Sequence, residues 1–227
     1  MAATHPAPKP PLVAVVVVIL TVVDDDLQVL LIKRSAEPFR DYWALPGGLL
    51  ADGESLDRAA ARKLLDETGV QDVYLEQLYT FGELSRGDGK RSAAAKQRGI
   101  AVAYFALVQH GQVRLREGGG WQPGWHDVFA MPALAFDNNA VVDYAVRRLR
   151  SKLDYTNVAY SLLPRQFTLS ELQQVYEAIL DHDVDKRNFR RRMLSLGIIK
   201  AAGGTRMEGA HRPAQLYTFV KREPVTV

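Results

Sequence analysis

The chain contains no cysteine. That one absence removes disulfides, thiolate zinc sites and thiol nucleophiles together, and it suits a reducing interior. There is also no apolar run long enough to cross a bilayer. Residues 11–23 come nearest, with about 13 mostly apolar residues where a spanning helix needs about 20. The run follows Lys9, as a secretory leader would, but it lacks a small-residue cleavage site and ends directly in Asp24-Asp25-Asp26. A buried, valine-rich strand is the better reading, so a soluble cytoplasmic protein without membrane contact is expected. No internal repeat or long low-complexity segment is visible.

What is present is an ordinary globular composition, 47% hydrophobic and 24% charged, in a length that suits one large domain or two modest ones. The charge is unevenly placed. Between Lys186 and Arg222 stand Lys186, Arg187, Arg190, Arg191, Arg192, Lys200, Arg206, Arg212, Lys221 and Arg222 against Glu208 alone. That segment carries +9, which leaves −6 on the rest of a +3 chain. A basic C-terminal end on an acidic body points to a polyanionic partner at that end, the alternative being a merely solvated basic face.

Residues 1–11, with Pro6, Pro8, Pro10 and Pro11, read as a loose tail. Leu12–Val23 and Gln28–Lys33 read as two strands about the Asp24–Asp26 turn. Asp41–Gly53 reads as loop or short strand. Ser55 is placed to cap a helix over Leu56–Glu67 that ends at Gly69. Val73–Phe81 and Ile100–Val108 are strand candidates on either side of the loop Gly82–Gly99, and 109–133 gives no clear element. From Asn138 a helix runs to about Leu153, with Asp137 as candidate cap. These elements predict an α/β (α+β) domain at 12–137, a mixed sheet between helices. A linker helix follows at 138–154, and a second domain at 155–227.

Residues 48–70 carry the most specific signal. Gly48, Glu54, Arg62, Leu64, Glu67, Gly69 and Val70 stand in register with Gly, five residues, Glu, seven residues, then Arg-Glu-apolar-x-Glu-Glu-x-Gly-apolar. This segment resembles the Nudix box, and Trp43-Ala44-Leu45-Pro46-Gly47 resembles its usual lead-in. An amphipathic helix explains Leu56, Leu64 and Leu65 but not Gly48, Glu54 and Gly69 together. The resemblance implies carboxylates on one helix face that hold Mg²⁺ against a nucleoside diphosphate while water attacks phosphorus. Mg²⁺ needs hard oxygen ligands in near-octahedral array, which carboxylates one helical turn apart supply.

Here the pattern is broken. Lys63 stands where the first Glu of the Arg-Glu pair belongs, spaced to pair with Glu67, and Asp66 is one methylene short. An ammonium about 4 Å from a divalent ion costs on the order of several kcal/mol even at an effective dielectric of about 20. Glu54, Arg62, Asp66 and Glu67 therefore read as a vestigial box with no catalytic residue and no required cofactor. The alternative is a weak Mg²⁺ site at Asp66 and Glu67 that retains some hydrolysis. Binding without turnover would use Gly47, Gly48 and Glu67, with Arg86 and Arg98 from a cation-rich loop that also holds Lys90, Arg91 and Lys96. Family members that bind ADP-ribose often carry Arg-Asp-Pro-Arg-Gly in that loop, whereas Leu84–Gly99 has no proline.

In the C-terminal part, Thr168 and Glu171 form a capping-box pair at the head of a helix running to about Leu180. After a break at Asp181–Val184, Asp185 is placed to cap a second helix through Leu196, ended by Gly197. Phe189, Met193 and Leu196 make its apolar stripe. Arg187 and Arg191 point away, flanked by Lys186, Arg190 and Arg192, and Asn188 is a candidate adenine reader or a turn former. Ile198–Ala202 and Gln215–Val220, joined through Gly203-Gly204-Thr205 and a basic loop with Arg206, read as a hairpin. The whole predicts a winged helix-turn-helix that offers Lys186, Arg187, Asn188, Arg190, Arg191, Arg192, Thr205 and Arg206 to double-stranded DNA.

Leu134-Ala135-Phe136-Asp137, Phe167–Leu180, Asn188-Phe189-Arg190-Arg191 and Leu216-Tyr217 extend the likeness over nearly the whole chain. The sequence resembles the Nudix-related transcriptional regulators of the NrtR type. That resemblance implies a homodimer on a palindromic operator, repression of NAD-metabolism genes, and relief by ADP-ribose or a related nucleotide. Two other readings stay open: a Mg²⁺-dependent Nudix hydrolase of ADP-ribose, and a regulator whose effector is a sugar phosphate or another metabolite.

Overall fold

The computed structural model describes residues 11–71, 73–82, 99–115, 122–207 and 213–226. The apolar run at the N-terminal end is strand β1 (Leu12–Val23), and the first sheet grows from it. Its partners are β2 (Asp26–Lys33), β3 (Trp43–Ala44), β4 (Gly47–Leu49), β5 (Tyr74–Phe81), β6 (Gly99–Leu107) and β7 (Gln122–Asp127). β6 runs parallel to β1 from Leu12–Gly99 to Leu20–Leu107. The other pairings are antiparallel, so the sheet is mixed. β1 splays along its length: its first half takes β4, its last four residues take β2.

The β1–β2 turn is a two-residue loop in which Asp24 and Asp25 both have positive φ, 49° and 68°. That geometry matches the twist of a hairpin, and aspartate tolerates the left-handed region better than most residues. Strand β7 lies in the stretch that the sequence left unassigned. Pro123 and Gly124 hide it, and both are tolerated because β7 pairs on one side only, with β2. Gly124 also leaves room for the Trp43 ring, which would stand 3.3 Å from any Cβ there.

Both faces of β1 are covered, which is why it carries apolar residues without alternation. On one face Val15, Val17 and Ile19 pack with Val102, Tyr104 and Ala106 beneath helix α1 (Leu56–Thr68). α1 starts where Ser55 Oγ accepts from the Arg58 amide at 3.3 Å and stops at Gly69, φ 69°. On the other face Val18, Leu20 and Phe105 pack against Val141, Ala145 and Leu149 of helix α2 (Asn138–Tyr155). No helix among the described residues is long and apolar enough to cross a membrane.

The apolar core of α2 continues without a break into the C-terminal part, through Phe167, Leu172, Tyr176, Ile179, Phe189 and Met193. This part comprises β8 (Phe167–Thr168), α3 (Leu169–Leu180), α4 (Lys186–Ser195), β9 (Ile199–Arg206) and β10 (Ala214–Phe219), its strands ordered β8-β10-β9. The capping box is complete. The Glu171 amide donates to Thr168 Oγ1 at 3.2 Å and the Thr168 amide to Glu171 Oε2 at 2.6 Å. Two details differ from the sequence reading. Phe167-Thr168 doubles as a short strand against Leu216 and Tyr217. Gly203, Gly204 and Thr205 lie inside β9, the glycines at φ 76° and 81°, where β10 shifts register between Gln215 and Tyr217. They shape a bulge in the hairpin arm, not its turn.

A partly buried charge network ties α2 to the sheet edge. Glu76 of β5 receives the Tyr74 hydroxyl, with Lys152 Nζ at 2.9 Å and Arg148 Nη2 at 3.4 Å. Burial pushes the Glu76 carboxyl up, but hydrogen bonds from Lys152 and Tyr74 outweigh it and leave its pKa below the ordinary 4.5. A carboxyl lowered on folding stabilises the protein above its unfolded value and stops doing so as pH falls through the folded one. Denaturant midpoints measured from neutral pH into the acid range are expected to fall as pH drops below about 4.5. Glu76→Gln should lose about 1–3 kcal/mol at neutral pH, since Lys152 stays largely buried beside a neutral partner. The variant should also flatten that acid limb, and parallel wild-type and variant curves would count against the network.

Candidate nucleotide site and nucleic-acid interface

At the box, α1 and the β4 region meet. Arg62 holds Glu54 in a two-point ion pair, Nε to Oε1 and Nη2 to Oε2, both 2.8 Å. These bonds keep the Glu54 carboxyl below its ordinary pKa. Asp66 is half-exposed, 3.9 Å from Arg62 Nη1. Glu67 is half-buried; burial raises its pKa against the opposing charge of Lys63.

Lys63 does not close an ion pair with Glu67 among the described residues, contrary to what the i, i+4 spacing predicts. It leans toward Gly48, where a Cβ would stand 3.3 Å from its Cε and 3.5 Å from its Nζ. Gly47 is required for a different reason. A Cβ there would lie 2.8 Å from both the Val15 carbonyl oxygen and Val16 Cγ1, so its lack of a side chain is explained by the approach of β4 to β1. The structure thus brings Gly48, Lys63, Glu54 and Glu67 together. The predicted Arg86 and Arg98 lie outside the described residues.

A divalent metal does not fit this arrangement. Glu54 is already engaged by Arg62, a cationic side chain stands among the carboxylates, and among the described residues no three His, Asp or Glu side chains converge as a metal site. A shallow cleft of about 380 Å³ opens beside Glu54, bordered by Leu12, Leu49, Leu50 and Asp52. A larger one, about 490 Å³, lies between the two halves and is lined by Asp25, Asp127, Glu177, Asp181 and Asp183. Neither cleft is lined by Gly48, Lys63 or Glu67, so the candidate nucleotide site rests on the box residues themselves and not on a cleft.

In the C-terminal part α4 presents Lys186, Arg187, Asn188 and Arg191 to solvent, with Arg190 partly buried. Asp185 Oδ1 caps the helix by accepting from the Asn188 amide at 2.8 Å. That leaves the Asn188 side chain outward, where its Oδ1 accepts from Arg191 at 3.0 Å. Thr205 is exposed on β9. Other cations of the basic segment have work inside the chain. Arg192 pairs with Asp154 at 3.2 Å, and Arg206 with Glu171 at 2.7 Å and the Gln166 carbonyl at 3.1 Å. Arg222 donates to the carbonyls of Tyr160, Leu163 and Pro164. The free positive face is therefore narrower than the +9 count implies, and it centres on the first two turns of α4.

Residues 12–147 match the NUDIX domain family, and residues 159–219 match the NrtR DNA-binding winged helix domain. Over 219 residues the chain is 38% identical to the ADPR responsive transcriptional repressor NtrR of Acinetobacter baylyi, an alignment spanning 94% of this chain and 84% of that one. The chain belongs to the NrtR family of Nudix-related regulators. It is also similar to the crystal structure of Shewanella oneidensis NrtR complexed with a 27mer DNA, at 34% identity over 91% of this chain and 93% of that one, TM-score 0.78. The NUDIX domain of the same Shewanella protein, crystallised with ADP ribose, matches at 34% identity over 65% of this chain and 94% of that one, TM-score 0.53.

In this NrtR-family chain the junction between the halves is bridged by a residue that the sequence did not single out. Arg150 of α2 donates from Nε to the Ile179 carbonyl at the end of α3, at 2.8 Å, while its guanidinium lies 5.2 Å from the centre of the Phe129 ring just beyond β7. One side chain thus touches the Nudix half, the helix between the halves and the first helix of the winged-helix half. No local spacing signals it, because Arg150 and Ile179 are 29 residues apart.

Proposed function

We propose that this chain is a cytoplasmic, homodimeric repressor that binds a palindromic operator through α4 and β9–β10, represses NAD-metabolism genes, and releases DNA when ADP-ribose occupies the Nudix box. Efficient hydrolysis is not part of this reading. The observation that carries it is likeness over 91% of the chain to a DNA-bound NrtR, in a molecule whose α4 leaves Lys186, Arg187, Asn188 and Arg191 outward. In a two-fold dimer the α4 helices would enter successive major grooves about 34 Å apart. Lys186, Arg187, Asn188, Arg190 and Arg191 are assigned to the DNA, with Thr205 following the backbone. Arg192 and Arg206 are assigned to holding α4 and the hairpin in place.

A gel shift on the DNA upstream of the chain's own operon tests the reading. The expected result is a sequence-specific complex at physiological salt that dissolves on addition of ADP-ribose. A complex indifferent to ADP-ribose but released by a sugar phosphate would replace the effector. No specific complex, together with Mg²⁺-dependent turnover of ADP-ribose, would return the chain to the hydrolases.

A further inference from the structure

Where the Nudix pattern calls for a divalent cation, this chain carries a fixed charge of its own. Lys63 occupies the position of a patterned glutamate, and its ammonium lies over the Gly48 backbone, 3.5 Å from where a Cβ would stand. Its charge adds to the Arg62 hydrogen bonds that lower the Glu54 pKa and opposes the burial that raises that of Glu67, so both lie within its electrostatic reach. Yet it closes an ion pair with neither among the described residues, and Glu54 is held instead by the two hydrogen bonds from Arg62. Among the described residues the ammonium makes no hydrogen bond or ion pair, and a side chain at position 48 would crowd it. A positive group so placed is a receptor for an anion.

We propose that the Lys63 ammonium takes the divalent cation's place as the positive partner of the effector's pyrophosphate, so that this chain binds ADP-ribose without metal. The inference rests on the ADP-ribose reading above. An ammonium neutralises and hydrogen-bonds a phosphate, but it does not turn water into a nucleophile at neutral pH as a bound divalent metal does. The same exchange therefore gives affinity without hydrolysis, which is what a sensor of an intact nucleotide requires.

Calorimetric titration of the full chain with ADP-ribose, in EDTA and in MgCl₂, tests the proposal. The wild type is expected to bind with the same Kd in both buffers. Lys63→Met keeps the aliphatic stem over Gly48 and removes the charge. It should bind at least tenfold more weakly in both, about 1.4 kcal/mol. Its operator affinity without ADP-ribose should be unchanged, which reports an intact fold. Lys63→Glu should bind more tightly with Mg²⁺ than with chelator. A wild type that needs Mg²⁺, or a Lys63→Met protein that matches the wild type, overturns the proposal and leaves the ADP-ribose reading standing. A wild type that takes up no ADP-ribose in either buffer overturns that reading, and the proposal with it.

Discussion

Phe189→Ala is expected to destabilise the DNA-binding half by about 3–5 kcal/mol, the usual cost of truncating a buried phenylalanine. Phe189 is 7% exposed, meets the Tyr176 ring edge-on at 5.0 Å, and shares its core with Met193, Leu172 and Ile179. Its partners come from α3 and α4 at once, so a cavity there loosens the angle between the helices that DNA recognition needs. A loss of that size is a large share of the about 5–15 kcal/mol that holds a typical domain folded. The core runs on from α4 through α2 to the sheet, so the loss should be felt beyond the C-terminal part. Chemical denaturation followed by circular dichroism should show an earlier midpoint, and operator binding at physiological temperature should disappear. A Phe189→Ala protein that is as stable as the wild type and still binds its operator would refute the buried stripe.

Much of this architecture could be read from local chemistry. Asp24-Asp25 take the left-handed conformation of a hairpin turn, and Ser55 and Gly69 at the ends of α1 and Thr168 with Glu171 at the head of α3 satisfy backbone groups within a few residues, so local spacing reveals them. Strand β7 escaped because Pro123 and Gly124 disfavour a strand everywhere except at an edge, and edges are set by the whole sheet. At the candidate site the sequence offered residue types but not their partners. Asp154 reaches Arg192 across 38 positions, Glu171 reaches Arg206 across 35, and Tyr160 reaches Arg222 across 62. No window of sequence shows such pairs, so cations that looked alike in the chain divide in space into free and committed ones. The direction taken by Lys63 was hidden for a related reason. Spacing offered Glu67, but the glycine at position 48 leaves open room toward β4, and the side chain fills it.

That division of cations makes the second large effect specific. Arg187→Ala and Arg191→Ala should each weaken operator binding by about tenfold to a hundredfold, the about 1–3 kcal/mol of a good base-edge contact. Thermal stability should hardly move in either, since both side chains are exposed and neither touches the core. Arg191 already donates to Asn188, so in Asn188→Ala the guanidinium loses an orienting partner and a smaller loss in the same direction is expected. Arg192→Ala is the contrast. Its partner is Asp154 at the end of α2, an exposed pair worth about 0–1 kcal/mol, and its removal should leave operator discrimination intact. Affinity measured as a function of salt adds a second axis. Losing a cation that meets a phosphate lowers the slope of log affinity against log salt by about 1, whereas losing one that reads a base relaxes discrimination at one position. If Arg187→Ala and Arg191→Ala both bind operator as the wild type does while Arg192→Ala does not, the assignment of α4's outer face to DNA is wrong and the helix approaches from its other side.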